Sequence, residues 1–147
     1  MTAEDVKKLR DMTGAGMMDA KRALEEANGD FDKAVEVIRE KGIAKADKKA
    51  ERVTGAGGFT TYIHGERIAV LLELRCETDF VARNDEFKNL GKEIALQIAA
   101  MDPSNVEELL SQAFIKDQNM TVENLVKGVI AKTGENIQIG RFCRYEL

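Results

Sequence analysis

Arg67-Ile68-Ala69-Val70-Leu71-Leu72-Glu73-Leu74-Arg75-Cys76-Glu77 decides the fold. Val70, Leu72, Leu74 and Cys76 share one face of an extended chain, while Glu73 and Arg75 take the other. A period of two residues belongs to a strand in a sheet that is packed on one side. Just upstream, residues 59–63 form a second run of strand-forming residues, and His64-Gly65-Glu66 between the runs is turn material. A hairpin is therefore expected.

Upstream of the hairpin, Gly55-Ala56-Gly57-Gly58 breaks a different pattern. Thr2 with Asp5 resembles a capping box, and Val6 and Leu9 line one face of a short helix that ends near Thr13-Gly14-Ala15-Gly16. Met17, Ala20, Leu24 and Ala27 recur at helical spacing, and Asn28-Gly29 closes that second helix. Asp30 caps a third, whose buried stripe is Phe31, Ala34, Val35 and Ile38, with Gly42 as its stop. Residues 1–42 read as a small three-helix unit, residues 43–55 as a charged and solvated helical linker, and residues 56–147 as a second unit with its own core.

Downstream, Asn84 or Asp85 caps a helix with Phe87, Leu90, Ile94 and Ile98 on its buried stripe, ended by Asp102-Pro103. Ser104 with Glu107 caps a short helix carrying Val106, Leu109, Leu110 and Ala113, and Thr121 caps another carrying Val122, Leu125, Val126 and Val129 up to Gly134. Ile137, Ile139, Cys143 and Tyr145 then alternate with Gln138, Gly140 and Arg144, which predicts a final strand. The fold class expected is α+β: a three-helix unit, a linker helix, and a three-stranded antiparallel sheet with helices over one face.

Composition restricts the chemistry. The chain has 147 residues, 44% hydrophobic and 33% charged, with a formal net charge of -4. It has no global positive field with which to collect phosphate backbones, so direct nucleic-acid binding is not expected. Cys76 and Cys143 are the only cysteines, too few for a disulfide framework and without zinc-site spacing, which suits a reducing cytoplasm. No apolar run approaches the ~20 residues of a spanning helix, so no membrane partner is expected. Gly14-Ala15-Gly16 lacks a preceding strand, and residues 55–58 lack the Gly-Lys-Ser/Thr of a phosphate-binding loop. His64, the only histidine, sits in a turn without cysteine or histidine neighbours. Neither a cofactor, a metal nor a catalytic group is expected. Lys45, Lys48, Lys49 and Arg52 could touch RNA, but no aromatic residues interleave them, and a solvated face balanced by Asp47 and Glu51 is the simpler reading.

Two features are not required by the fold. Met17 and Met18 point about 100° apart on a helix, so both can hardly serve one small core. Phe80, beside Asp79, lies in Glu77-Thr78-Asp79-Phe80-Val81-Ala82-Arg83-Asn84, between a strand and a helix, where an aromatic either packs or projects.

Leu9-Arg10, residues 13–21 and Cys76-Glu77-Thr78-Asp79-Phe80-Val81-Ala82-Arg83-Asn84 resemble the translation elongation factor Ts family, the guanine nucleotide exchange factors of elongation factor Tu. The resemblance continues through residues 132–137 and 141–147. It implies that the three-helix unit is ubiquitin-associated-like and that the second unit is a core and dimerisation domain. It also implies that Leu9, Arg10, Met17, Met18 and Lys21 hold elongation factor Tu, GDP-bound or nucleotide-free, and that Thr78, Asp79, Phe80 and Val81 are inserted beside its magnesium site. Many relatives have a long helical insertion between the counterparts of Met101 and Phe114, where this chain has a dozen residues. The shorter core implies a homodimer, pairing through sheet surface near Cys143. The alternative is a ubiquitin-associated-like adaptor for another protein, with a core that only dimerises.

Overall fold

A computed structural model describes all residues from 1 to 147. Three helices come first: α1 (Ala3–Thr13), α2 (Met17–Glu26) and α3 (Phe31–Asp47). The α1 cap is the reciprocal one expected, with the Asp5 amide donating to Thr2 Oγ1 at 3.2 Å and the Thr2 amide to Asp5 Oδ2 at 2.8 Å. Leu9, Ala20, Ala23, Leu24, Ala27 and Ala34 make a small core for these helices, with Val6, Phe31, Val35 and Ile38 around it.

Helix α3 does not stop at Gly42. It continues to Asp47, so the boundary expected at residues 42/43 falls inside a helix. Gly42 serves close packing instead: a Cβ there would come within 3.3 Å of the Ala131 side chain on the helix α7 (Val122–Thr133) that α3 crosses. The charged segment is solvated on one side only: Lys45, Lys48, Glu51 and Arg52 are exposed, whereas Ala46 is buried in the larger core and Lys127 on α7 pairs with Asp47 at 2.9 Å. Thr54 is buried as well, donating from its hydroxyl to Gln138 Oε1 at 2.8 Å.

The sheet has the order β1 (Ala56–His64), β2 (Ile68–Cys76), β5 (Ile137–Glu146), antiparallel throughout. Val70, Leu72, Leu74 and Cys76 all lie buried under α5 (Asp85–Met101) and α7, with Phe87, Leu90, Ile94 and Ile98 facing them from α5. This is the α+β arrangement expected, with the helices on one side of a three-stranded antiparallel sheet. Strand β1 starts earlier than expected, at Ala56 instead of Phe59.

Strand β5 departs from simple alternation. Leu72 pairs with Phe142, but Leu74 pairs with Ile139, so β5 has one extra residue opposite Glu73. A bulge of this kind moves every later side chain to the opposite face. Ile137 and Ile139 therefore face the core as expected, but beyond the bulge Phe142 and Arg144 take the core side, opposite Leu72 and Val70. Cys143 and Tyr145 turn to the outer face, opposite Leu71 and Ala69, which corrects their assignment to the face of Ile137. Gly140 allows the bulge, since a Cβ there would strike the Glu73 carboxylate, which pairs with Arg141 at 2.9 Å. Arg144 donates from Nε and a terminal nitrogen to the Ala99 carbonyl at the end of α5.

Between Met101 and Phe114 the chain is closed by α6 (Val106–Ser111) and the start of a second hairpin, β3 (Ala113–Phe114) with β4 (Asp117–Thr121). Asn105, not Ser104, caps α6, accepting from the Glu108 amide at 2.8 Å, and Ala113 belongs to β3, not to the helix. Gln97, fully buried on α5, holds the hairpin: Oε1 accepts from Ile115 N at 2.9 Å, and Nε2 donates to the Ala113 carbonyl at 3.0 Å. No helix is long and apolar enough to cross a membrane.

Candidate partner-binding surfaces

Strand β2 ends at Cys76, and the chain turns through Glu77 and Thr78 into α4 (Asp79–Ala82), a single turn. Thr78 is its N-cap, with the Val81 amide donating to Thr78 Oγ1 at 3.3 Å. Val81 is buried among the core residues, and Phe80, one position earlier and about 100° away around the turn, points outward with 81% of its surface exposed. Thr78 and Asp79 are exposed beside it. Val81, expected to act on a partner together with its neighbours, is buried and anchors the turn from which Phe80 projects.

The turn is cross-linked to the far end of the chain. Glu135 Oε1 accepts from the amides of Glu77 at 3.2 Å and Thr78 at 3.0 Å, and its Oε2 accepts from the Thr78 hydroxyl at 2.7 Å. In return the Asn136 amide donates to Glu77 Oε2 at 2.6 Å. Asn136 is buried, and its Nδ2 donates to the carbonyls of Ala50 and Arg52, tying down the connection between α3 and β1. Beneath the turn, the Cys76 thiol donates to the Thr78 carbonyl at 3.2 Å. Burial, reinforced by the Glu135 charge, pushes that thiol's pKa up, so it stays protonated and unreactive at neutral pH. Composition and periodicity single out neither Glu135 nor Asn136 for a role; their signals are the family resemblance over residues 132–137 and their place between a helix-stopping glycine and a strand.

A second surface lies on α1 and α2. Gly14 ends α1 with left-handed geometry (φ 72°), its amide donating to the Arg10 carbonyl at 2.8 Å, and α2 begins three residues later. Met17 and Met18 are both more than half exposed, and with Val6, Arg10 and Lys21 they line one shallow groove. Leu9 has no accessible surface. Buried in the core of the three helices, it holds α1 against α2. The structure thus brings Arg10, Met17, Met18 and Lys21 together in one groove and places Leu9 in the core beneath α1 and α2.

The remaining candidates have local duties. Nδ1 of His64 lies 2.9 Å from the Tyr62 hydroxyl. No three His, Cys, Asp or Glu side chains converge in a way that could hold a metal ion. Lys45 pairs with Asp19 at 3.1 Å, Arg52 lies 3.7 Å from the Glu77 carboxylate, and Lys49 Nζ donates to the Lys45 carbonyl, while Lys48 is exposed.

The family model described as elongation factor TS matches residues 77–147, the segment that contains α4, Glu135 and Asn136. Elongation factor Ts of Fervidobacterium nodosum is 45% identical over 193 residues, covering 100% of this chain and 98% of the relative. The chain belongs to the elongation factor Ts family. Elongation factor Ts of Carboxydothermus hydrogenoformans is likewise 45% identical, covering 100% of this chain and 89% of its own length, and that of Thermodesulfovibrio yellowstonii is 40% identical over 191 residues. These aligned spans exceed 147 residues, so the elongation factor Ts relatives contain residues that this chain lacks.

Proposed function

We propose that this chain is the guanine nucleotide exchange factor of elongation factor Tu in translation elongation, working in the cytoplasm with no reaction chemistry and no cofactor of its own. Family membership over the whole chain supports the partner, and the outward Phe80 on a capped, cross-linked turn supports the mechanism. Arg10, Met17, Met18 and Lys21 hold the GTPase domain of the partner. Phe80, with Thr78 and Asp79, enters beside the magnesium and phosphate site and displaces groups that grip the nucleotide. Magnesium bridges phosphate oxygens to a GTPase, so moving its ligands removes much of the electrostatic hold on GDP. Linkage then requires symmetry: a factor that binds the empty GTPase more tightly than the GDP-bound form weakens GDP binding by the same ratio.

The chain acts as a homodimer in this reading. Every helix that covers the sheet lies on the side of Leu72 and Leu74. The outer face presents Phe59, Ile63 and Leu71 together with Cys143 and Tyr145, an apolar surface on a rigid sheet that suits a second copy of the same face. The direct experiment titrates the protein against elongation factor Tu with and without GDP. The empty form should bind more tightly, and equal affinities would remove exchange from the account.

A further inference from the structure

We propose that Glu135 is a positioning residue for exchange, holding the Thr78–Phe80 turn in the one conformation in which Phe80 can act; this rests on the reading that Phe80 is the displacing group. A single helical turn of four residues cannot sustain itself, because nucleation fixes several residues for each hydrogen bond formed. α4 therefore needs an external template. The Glu135 carboxylate supplies one by taking three donors from two consecutive residues, the Glu77 and Thr78 amides and the Thr78 hydroxyl. Its own backbone is set by the rigid end of α7, where Gly134 caps the helix and the Glu135 amide donates to Thr133 Oγ1.

The hydroxyl carries the coupling. Thr78 Oγ1 has one proton, and giving it to Glu135 Oε2 leaves the oxygen's lone pairs for the Val81 amide. The chain of control runs from Glu135 to the Thr78 hydroxyl, then to the Val81 amide and the α4 turn, and so to the direction of Phe80. Without the carboxylate the hydroxyl rotates freely and the cap becomes one of several states. The Asn136 to Glu77 bond keeps residue 77 near its place, so losing Glu135 loosens the turn without detaching it.

The test is a double-mutant cycle of Glu135→Ala and Phe80→Ala, read by release of fluorescent GDP from elongation factor Tu over a range of factor concentrations, with amide exchange of residues 77–81 as a second readout. Glu135→Ala should stay folded, exchange its 77–81 amides faster, and lower the saturating release rate on the order of tenfold, the loss expected for hydrogen bonds to a charged group. Its half-saturating concentration should move less, because Arg10, Met17, Met18 and Lys21 are untouched. In the Phe80→Ala background the same substitution should change the rate by less than about twofold. Glu135→Gln should recover most of the loss, since its Oε1 can accept both amides and its Nε2 can donate to the Thr78 hydroxyl. If Glu135→Ala does not fold, Glu135→Asp, whose carboxylate is one methylene too short to keep both amides and the hydroxyl, is held to the same expectations. A wild-type rate for the Glu135→Ala protein, or an equal loss in both backgrounds, overturns the positioning role alone. A wild-type rate for Phe80→Ala overturns the displacing role of Phe80, and this proposal with it.

Discussion

Replacing Phe80 with alanine separates folding from function. Since 81% of the residue is exposed in the free protein, truncation removes almost no core contact, and stability should change by less than ~0.5 kcal/mol. Docking is different. Full burial of a phenylalanine side chain gains about 1.5–3 kcal/mol, and nearly all of that surface is still available to be covered by a partner. If Phe80 becomes buried in the transition state for GDP release and not in the initial complex, its loss raises the barrier by ~2 kcal/mol, or roughly 30-fold in rate. Stopped-flow release of fluorescent GDP from elongation factor Tu measures this, with thermal unfolding of the variant as the control for fold. A variant that melts with the wild type and releases GDP at the wild-type rate would refute the reasoning.

Three further outcomes follow from the packing. Leu9→Ala empties a fully buried site in a core of only six residues and should cost ~2–5 kcal/mol in chemical denaturation, whereas Met18→Ala should leave stability unchanged and weaken only the complex with elongation factor Tu. Leu71→Glu places a charge at the centre of the outer sheet face and should convert a dimer into a folded monomer in sedimentation equilibrium; a wild-type protein that sediments as a monomer would remove that interface. The Arg141 guanidinium, hydrogen-bonded to Glu73, holds that carboxyl below its ordinary pKa, so the pair stabilises the fold above the ordinary carboxylate range and loses its effect as the pH falls through the lowered value. Arg141→Met should therefore be less stable than wild type at neutral pH, and the gap should shrink in acid; a gap that does not depend on pH would argue against the linkage.

Much of this molecule could be read directly from the order of its residues. The cap of α1, the buried alternation of Val70, Leu72, Leu74 and Cys76, and the stripe on α5 depend only on neighbours a few positions apart, and the chain's own periodicity encodes them. Phe80 was legible as an aromatic between a strand and a helix, but nothing local said whether it packed or projected. Val81 decided that by taking the inward position on a one-turn helix. The features that could not be read all depend on partners distant in sequence. Gly42 resembles a helix stop until α7 lies against it, and Cys143 and Tyr145 share the face of Ile137 until the bulge opposite Glu73 reverses them. Glu135 is one more polar residue after a glycine until folding brings it to Thr78, 57 positions away. Local periodicity chose the elements. Contacts between remote segments decided which way the side chains at their ends would face, because a helix end or a bulge is set by the group that fills the space opposite it.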